Sequence, residues 1–292
     1  MTRVIALLAP AKINIALEVL RKRADGYHDI RSVFVRLPKL ADRIALRIDP
    51  GATAVRISTQ SKYIPIDATN ICHQAATRYL AQIDERAAVQ IDIDKKIPVA
   101  AGLGGGSSDA AATLLALNRH FGDRMRAPQL TQLGSAIGKD IAFFLRGDEA
   151  SHVSGAGEIV RTIGNFPRAH FLLVNPGIAV PTRDAYQALD DELWYMCSKL
   201  RSDRSAIMRK AIKAHDIAKI AAALYNDFEA TIGRMHPIVS ELKHVLLAFG
   251  ARGALMSGSG PTVFGLFDSP RAVRNAEQAL RERYTRFFIA AA

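Results

Sequence analysis

Four glycines and two serines crowd one short run, PVAAGLGGGSSDAAATLL, from Pro98 to Leu115. Gly102, Gly104, Gly105 and Gly106 lack the Cβ atoms that keep an anion away from backbone N–H groups, and they accept positive φ. Ser107 and Ser108 add hydroxyls where a following helix begins. Such a terminus carries unpaired N–H donors and the positive end of the helix dipole. Oligophosphate is the guest this composition suits. Glycine and serine also collect in surface turns, so the flanks decide between the two. Over Ala88–Ile97, Val89, Ile91 and Ile93 alternate with polar residues, a strand pattern, and Ala110, Ala111, Ala112, Leu114, Leu115 and Leu117 read as a buried helix. Strand, glycine loop and helix in succession form an anion-binding context. The loop is neither a Walker A sequence, since no Gly-Lys-Ser/Thr closes it, nor a dinucleotide fingerprint opening a βαβ half.

Further polar residues stand in apolar settings. Lys12 and Asn14, two apart in PAKINI, should leave the same face of a strand; they are either an edge lysine reaching for solvent or a cation and an amide aimed into one cleft. Asp25-Gly26 is a turn signal that presents Tyr27 and His28, a ring and an imidazole suited to a nucleobase or to a simple hairpin. Lys139 and Asp140 precede the apolar run IAFF, where an aspartate is either a helix cap or a base. A second small-residue turn, Met256 to Thr262, could close over the first loop, because residues without bulk permit close backbone approach.

The elements that must position these groups read as α+β in two lobes. Short strands are expected over Arg3–Leu8, Ile13–Val19, Ile30–Leu37, Arg43–Ile48 and Ala54–Ser58, punctuated by glycine and proline, then a helix from about Asn70 to Gln82. After the loop come its helix, another near Pro128–Ile137, and strands near Ala150–Val153 and Ile159–Thr162. A second region begins near Pro167 with the strand HFLLVNP, followed by helices from Thr182, across Ile207–Leu224 and over Pro237–Phe249, and a strand, helix, strand ending. The 292 residues, 49% hydrophobic, can bury a large core. No run is long enough for a membrane span, and Val4–Leu8 reads as a first strand rather than a signal peptide. Cys72 and Cys197 stand singly, which indicates neither a disulfide framework nor a zinc site and fits a reducing cytoplasm. A net charge of +11 attracts anions of every kind. Its densest segment, Lys199–Lys219, lacks the aromatics that single-stranded nucleic acid needs for stacking and reads as a solvated helix face.

Taken in order, PAKINIAL, RADGYHDI, PVAAGLGGGSSDAAATL, GKDIAFFL and LMSGSGPTVFGLF resemble the GHMP kinase superfamily, over about Val4 to Phe267 and least between Leu189 and Leu224. The resemblance implies a two-lobed α+β fold: a ribosomal-protein-like N-terminal α/β lobe that binds ATP, residues 1–165, and a C-terminal α/β sandwich lobe, residues 166–292. It implies transfer of the γ-phosphoryl group of ATP to an alcohol. The RADGYH turn and the long form of the loop point to the 2-hydroxyl of a methylerythritol carrying a cytidine diphosphate. By that pattern Asp140 accepts or orients the hydroxyl proton, and Lys12 keeps the aspartate ionised while stabilising charge on the transferring group. Pro98, Leu103 and the Gly102–Ser108 loop hold the phosphates, with Mg²⁺ neutralising them and reached through a loop serine and water. Asn70 and Lys95 border the adenine nucleotide. Asn14, Tyr27 and His28 belong to the substrate, joined by Pro181 and Thr182 from the second lobe. The implied partners are small molecules, neither nucleic acid nor membrane, and the implied state is a cytoplasmic monomer or weak homodimer. Two residues depart from the pattern: Lys139 replaces a small residue and Ala142 a proline. No motif accounts for Trp194.

Overall fold

Proline ends neither of the first two strands. A computed structural model, which describes residues 4–192 and 202–292, has β1 (Val4–Lys22) running through Pro10 and β2 (His28–Pro50) running through Pro38. The sequence pattern had divided each in two. Proline's fixed φ is compatible with an extended chain and removes only a donor, so a strand continues wherever that donor is not needed.

The chain continues through β3 (Ala54–Thr59), α1 (Ile71–Gln82), β4 (Ala87–Asp94), α2 (Gly105–His120), α3 (Ala127–Ser135), α4 (Ile141–Arg146), β5 (Ala150–Gly155) and β6 (Ile159–Gly164). Next come β7 (His170–Asn175), α5 (Thr182–Asp191), α6 (Arg204–Lys213), α7 (Ile217–Ala222), β8 (Tyr225–Asn226) and α8 (Phe228–Met235). The last elements are α9 (Pro237–Ala248), β9 (Gly253–Met256), β10 (Val263–Phe267), α10 (Pro270–Arg283) and β11 (Phe288–Ala291). Trp194, Cys197 and the start of the basic segment at Lys199 lie outside the described residues. The remainder of that segment forms α6 and α7. On α6, Met208, Ala211 and Ile212 are buried and Arg204, Lys210 and Lys213 exposed, the solvated cationic face that the spacing predicts.

Two compact units emerge, each built from separate stretches of the chain. One holds the residues up to Ala11 with Ala41–Val99 and Gly104–Gly147; the other holds Lys12–Leu40, Ala100–Leu103 and Asp148–Ala292. In the first, β3 runs parallel to β4, and β4 pairs antiparallel with Arg43–Pro50 of β2. Leu46, Val89 and Ile91 are buried there, as are Tyr79 of α1 and Ala110, Ala111 and Leu114 of α2.

In the second unit, Ile30–Val35 of β2 pairs antiparallel with β5, β5 pairs with β6, and β8 lies parallel to Ala16 and Leu17 of β1. A separate antiparallel sheet has the order β11-β7-β10-β9. Its apolar side chains, among them Leu172, Val174 and Val263, join Leu242 and Leu246 of α9, Ile232 of α8 and Leu280 of α10 in one core. Among the described residues no helix is long and apolar enough to cross a membrane.

Candidate active site

In the first unit the chemistry gathers at the start of α2. The alternation of Val89, Ile91 and Ile93 predicts a strand to Ile97, yet β4 stops at Asp94. The Oδ1 atom of Asp42 accepts from the Lys96 and Ile97 N–H groups at 2.5 and 2.8 Å, which takes both donors out of the ladder. Its Oδ2 accepts from Lys95 Nζ at 2.5 Å, and the same ammonium donates to Asp109 Oδ2 at 2.7 Å. All three side chains are withdrawn from solvent. Burial raises the Asp109 carboxyl to about 8, with the Asp42 charge adding to the rise and Lys95 opposing it. Burial alone would lower the Lys95 ammonium, but the Asp109 and Asp42 carboxylates outweigh it and the net direction is upward.

The loop's exit lies directly against this cluster. Gly104 is left-handed at φ 70° and gives α2 no side-chain cap, so the first N–H groups of the helix remain available. A Cβ on Gly105 would stand 3.1 Å from Ile97 Cγ2 and 3.2 Å from Lys95 Nζ, a tight fit against both side chains. Within the first turn the Ser108 hydroxyl and Asp109 Oδ1 are buried without a hydrogen-bond partner. An uncapped helix end with an orphaned hydroxyl fits a phosphate chain. Among the described residues no group of three His, Cys, Asp or Glu could hold a metal ion.

Asn70 is buried and caps α1: its Oδ1 accepts from Cys72 N at 2.8 Å and its Nδ2 donates to the Pro65 carbonyl at 2.7 Å. Pro98 lies half-buried in the turn after Ile97. Asp140 occupies the residue before α4 with helical φ and ψ of −77° and −11°, and its side chain makes no capping hydrogen bond. The helix-cap reading of this aspartate therefore fails. Behind it Ala142, Phe143 and Phe144 are buried and fix the segment.

In the second unit Lys12 and Asn14 leave the same face of β1, as their spacing predicts, with Lys12 Nζ donating to Asn14 Oδ1 at 2.6 Å. The ammonium also lies 4.5 Å from the centre of the Phe34 ring. Asn14 Nδ2 donates to Ser32 Oγ at 3.0 Å, and that hydroxyl donates to the Ala16 carbonyl at 2.6 Å. The edge-lysine reading does not hold, since Lys12 is 5% exposed. The second small-residue turn meets the first loop at Gly102: Ser257 Oγ donates to the Gly102 carbonyl at 2.9 Å and accepts from Asn14 N at 3.3 Å. Gly102 has φ +73°, and a Cβ there would fall 2.1 Å from the Ser257 carbonyl oxygen. Lys12 N donates to the Leu103 carbonyl at 3.0 Å, so Leu103 is tied to β1.

Tyr27 and His28 are neighbours in sequence but differ in exposure. Tyr27 is 52% exposed on the Asp25-Gly26 turn, whereas His28 is buried at the start of β2. The imidazole stacks on Tyr186 of α5 at 4.4 Å, and its Nε2 meets Asp190 Oδ1 at 2.8 Å. Lys22 Nζ holds the other oxygen of Asp190 at 2.6 Å. Pro181 precedes α5, and the Thr182 hydroxyl lies 3.1 Å from that of Ser259. The sequence pattern gave no sign of Asp42, Tyr186 or Asp190. Asp109 and Ser257 lay within motifs, but their side-chain roles were not read.

The chain is a GHMP kinase by its family matches and its fold. Residues 70–148 match the family described as GHMP kinases N terminal domain, and residues 208–286 match GHMP kinases C terminal. The 4-diphosphocytidyl-2-C-methyl-D-erythritol kinase of Geobacter metallireducens is 39% identical over 98% of this chain and 97% of its own length; that of Bacillus subtilis is 39% identical over 94% and 91%. A crystal structure of 4-(cytidine 5'-diphospho)-2C-methyl-D-erythritol kinase superposes with a TM-score of 0.76 at 31% identity, covering 98% of both chains. A homoserine kinase from Cytophaga hutchinsonii, at 20% identity and a TM-score of 0.75, shares the fold. The chain belongs to the 4-diphosphocytidyl-2-C-methyl-D-erythritol kinase family.

Proposed function

We propose that this protein transfers the γ-phosphoryl group of ATP to the 2-hydroxyl of 4-diphosphocytidyl-2-C-methyl-D-erythritol, giving the 2-phosphate and ADP, in non-mevalonate isoprenoid synthesis. The observation that carries the reading is the uncapped start of α2, preceded by left-handed Gly104 and containing the orphaned Ser108 hydroxyl. In the transfer, the acceptor oxygen bonds to the γ-phosphorus as the bond to the β–γ bridging oxygen breaks, and the hydroxyl proton passes to Asp140 or is oriented by it. Lys12 supplies positive charge to the transferring group, aimed by Asn14 and Phe34. Phosphate oxygens take the N–H groups and hydroxyls from Gly102 through Ser108, with Pro98 and Asn70 on the nucleotide side. Mg²⁺ bound with ATP neutralises phosphate charge, and Ser107 or Ser108 would hold it directly or through water.

On the acceptor side, Tyr27 offers an exposed ring to the cytosine, and His28, Pro181 and Thr182 line the cytidylyl end with Asn14. Two anionic ligands have to be captured, which a net charge of +11 assists. The same reading has the protein working in the cytoplasm on small molecules, as a monomer or weak homodimer. ADP release with MgATP and the cytidylyl alcohol, together with a new phosphomonoester signal in ³¹P NMR, tests the assignment; turnover of mevalonate or homoserine instead would overturn it. Asp140→Asn is expected to lower kcat by about 10³-fold or more while ATP affinity stays near normal. Equal loss of affinity for both substrates would make Asp140 a structural residue.

A further inference from the structure

We propose that Asp42 and Lys95 are positioning residues that set where the first turn of α2 presents its N–H groups to the nucleotide's phosphates. The proposal rests on reading the glycine loop as the phosphate cradle, and it assigns Lys95 a role other than contact with the adenine nucleotide. Asp42 makes a buried three-way connection to the Lys96 N–H, the Ile97 N–H and the Lys95 ammonium. Those residues lead into the loop. Lys95 then bonds Asp109, in the helix that leads out of it, and Gly105 packs within a methyl's reach of both Lys95 Nζ and Ile97 Cγ2. Entry and exit are thus pinned to one ammonium and one carboxylate. Asp42 is 0% exposed and acts only through these neighbours.

An amide in place of Asp42 cannot satisfy this position. Its NH₂ would face either the ammonium or the two backbone donors. Loosening the anchor should displace the cradle, and sub-ångström misplacement of binding groups is costly.

The test is a double-variant cycle on MgADP affinity, measured by calorimetry without any acceptor, with kcat and the acceptor KM followed alongside. Asp42→Asn and Lys95→Met should each raise the MgADP Kd about tenfold. The acceptor KM should stay unchanged, and the double variant should be no worse than the weaker single. Losses that multiply to about a hundredfold in the double variant would mean that Lys95 touches the nucleotide itself. A lowered Tm with unchanged Kd would reduce the cluster to a structural ion pair and overturn the proposal. Should a variant fail to fold, Gly105→Ala pushes a methyl against Lys95 and Ile97 and should give the same tenfold loss; normal affinity there overturns the proposal as well. Wild-type protein that binds MgADP yet phosphorylates no cytidylyl alcohol would sink the substrate assignment and leave this inference standing.

Discussion

Lys12 and Lys95 are both withdrawn from water, one in each compact unit, and each is held by its own set of bonds. Lys95 sits between two carboxylates, so its charge is answered locally and its bonds serve to tie strands and helix together. Lys12 donates to the Asn14 amide oxygen and lies over the Phe34 ring, two contacts that orient its ammonium. The difference teaches that burial of a lysine is not by itself a sign of catalysis. What surrounds the ammonium decides whether it acts as a counter-ion for the fold or as an electrostatic tool for a ligand.

The contrast can be broken experimentally. Lys12→Met should lower kcat by about 10³-fold with the MgADP Kd within about twofold of wild type; a comparable loss of stability instead would place both lysines in one category. Lys95→Met removes the donor that buried Asp42 and Asp109 share and should cost about 3–5 kcal/mol of stability, read from urea unfolding. Gly102→Ala must displace the Ser257 carbonyl and should cost about 2 kcal/mol or more, since both the space and the left-handed backbone oppose it.

Asp109 sharpens the comparison through pH. Its carboxyl is raised in the fold, so the folded state holds a proton that the unfolded chain releases near pH 4. That contribution is full in acid and is lost as pH rises towards about 8. Asp109→Asn, which cannot ionise, should therefore gain stability relative to wild type by at least about 1 kcal/mol between pH 5 and 8. A flat difference would show that the carboxyl stays ionised throughout. The smallest effect belongs to Tyr27→Ala, expected to raise the KM for the cytidylyl alcohol about tenfold and leave ATP untouched.

Much of this was legible in the residues. Period-2 spacing put Lys12 and Asn14 on one face, the glycine loop fell between β4 and α2, and the small-residue turn at Ser257 did reach the first loop. The rest depends on contacts between distant positions, which leave no local pattern. Asp42 is one of three aspartates along β2, nothing local sets it apart, and only the fold brings it to Lys95 and shortens β4. The two-residue strand β8 has no periodicity to detect, and α8 follows it too closely for the spacing to separate. Pro10 and Pro38 carry a breaker's signature, yet their missing donors do not end either strand. Asp190 meets His28 across 162 positions of chain.

The hydroxyl that joins Gly102 to Asn14 belongs to residue 257, 243 positions beyond Asn14. A nascent chain emerging from the ribosome thus displays Lys12 and Asn14 long before Ser257 exists, and β1 likewise waits for β8. The centre that holds Lys12 is completed only once residue 257 has been made, so it belongs to the slow, high-separation stage of assembly rather than to any early-forming piece.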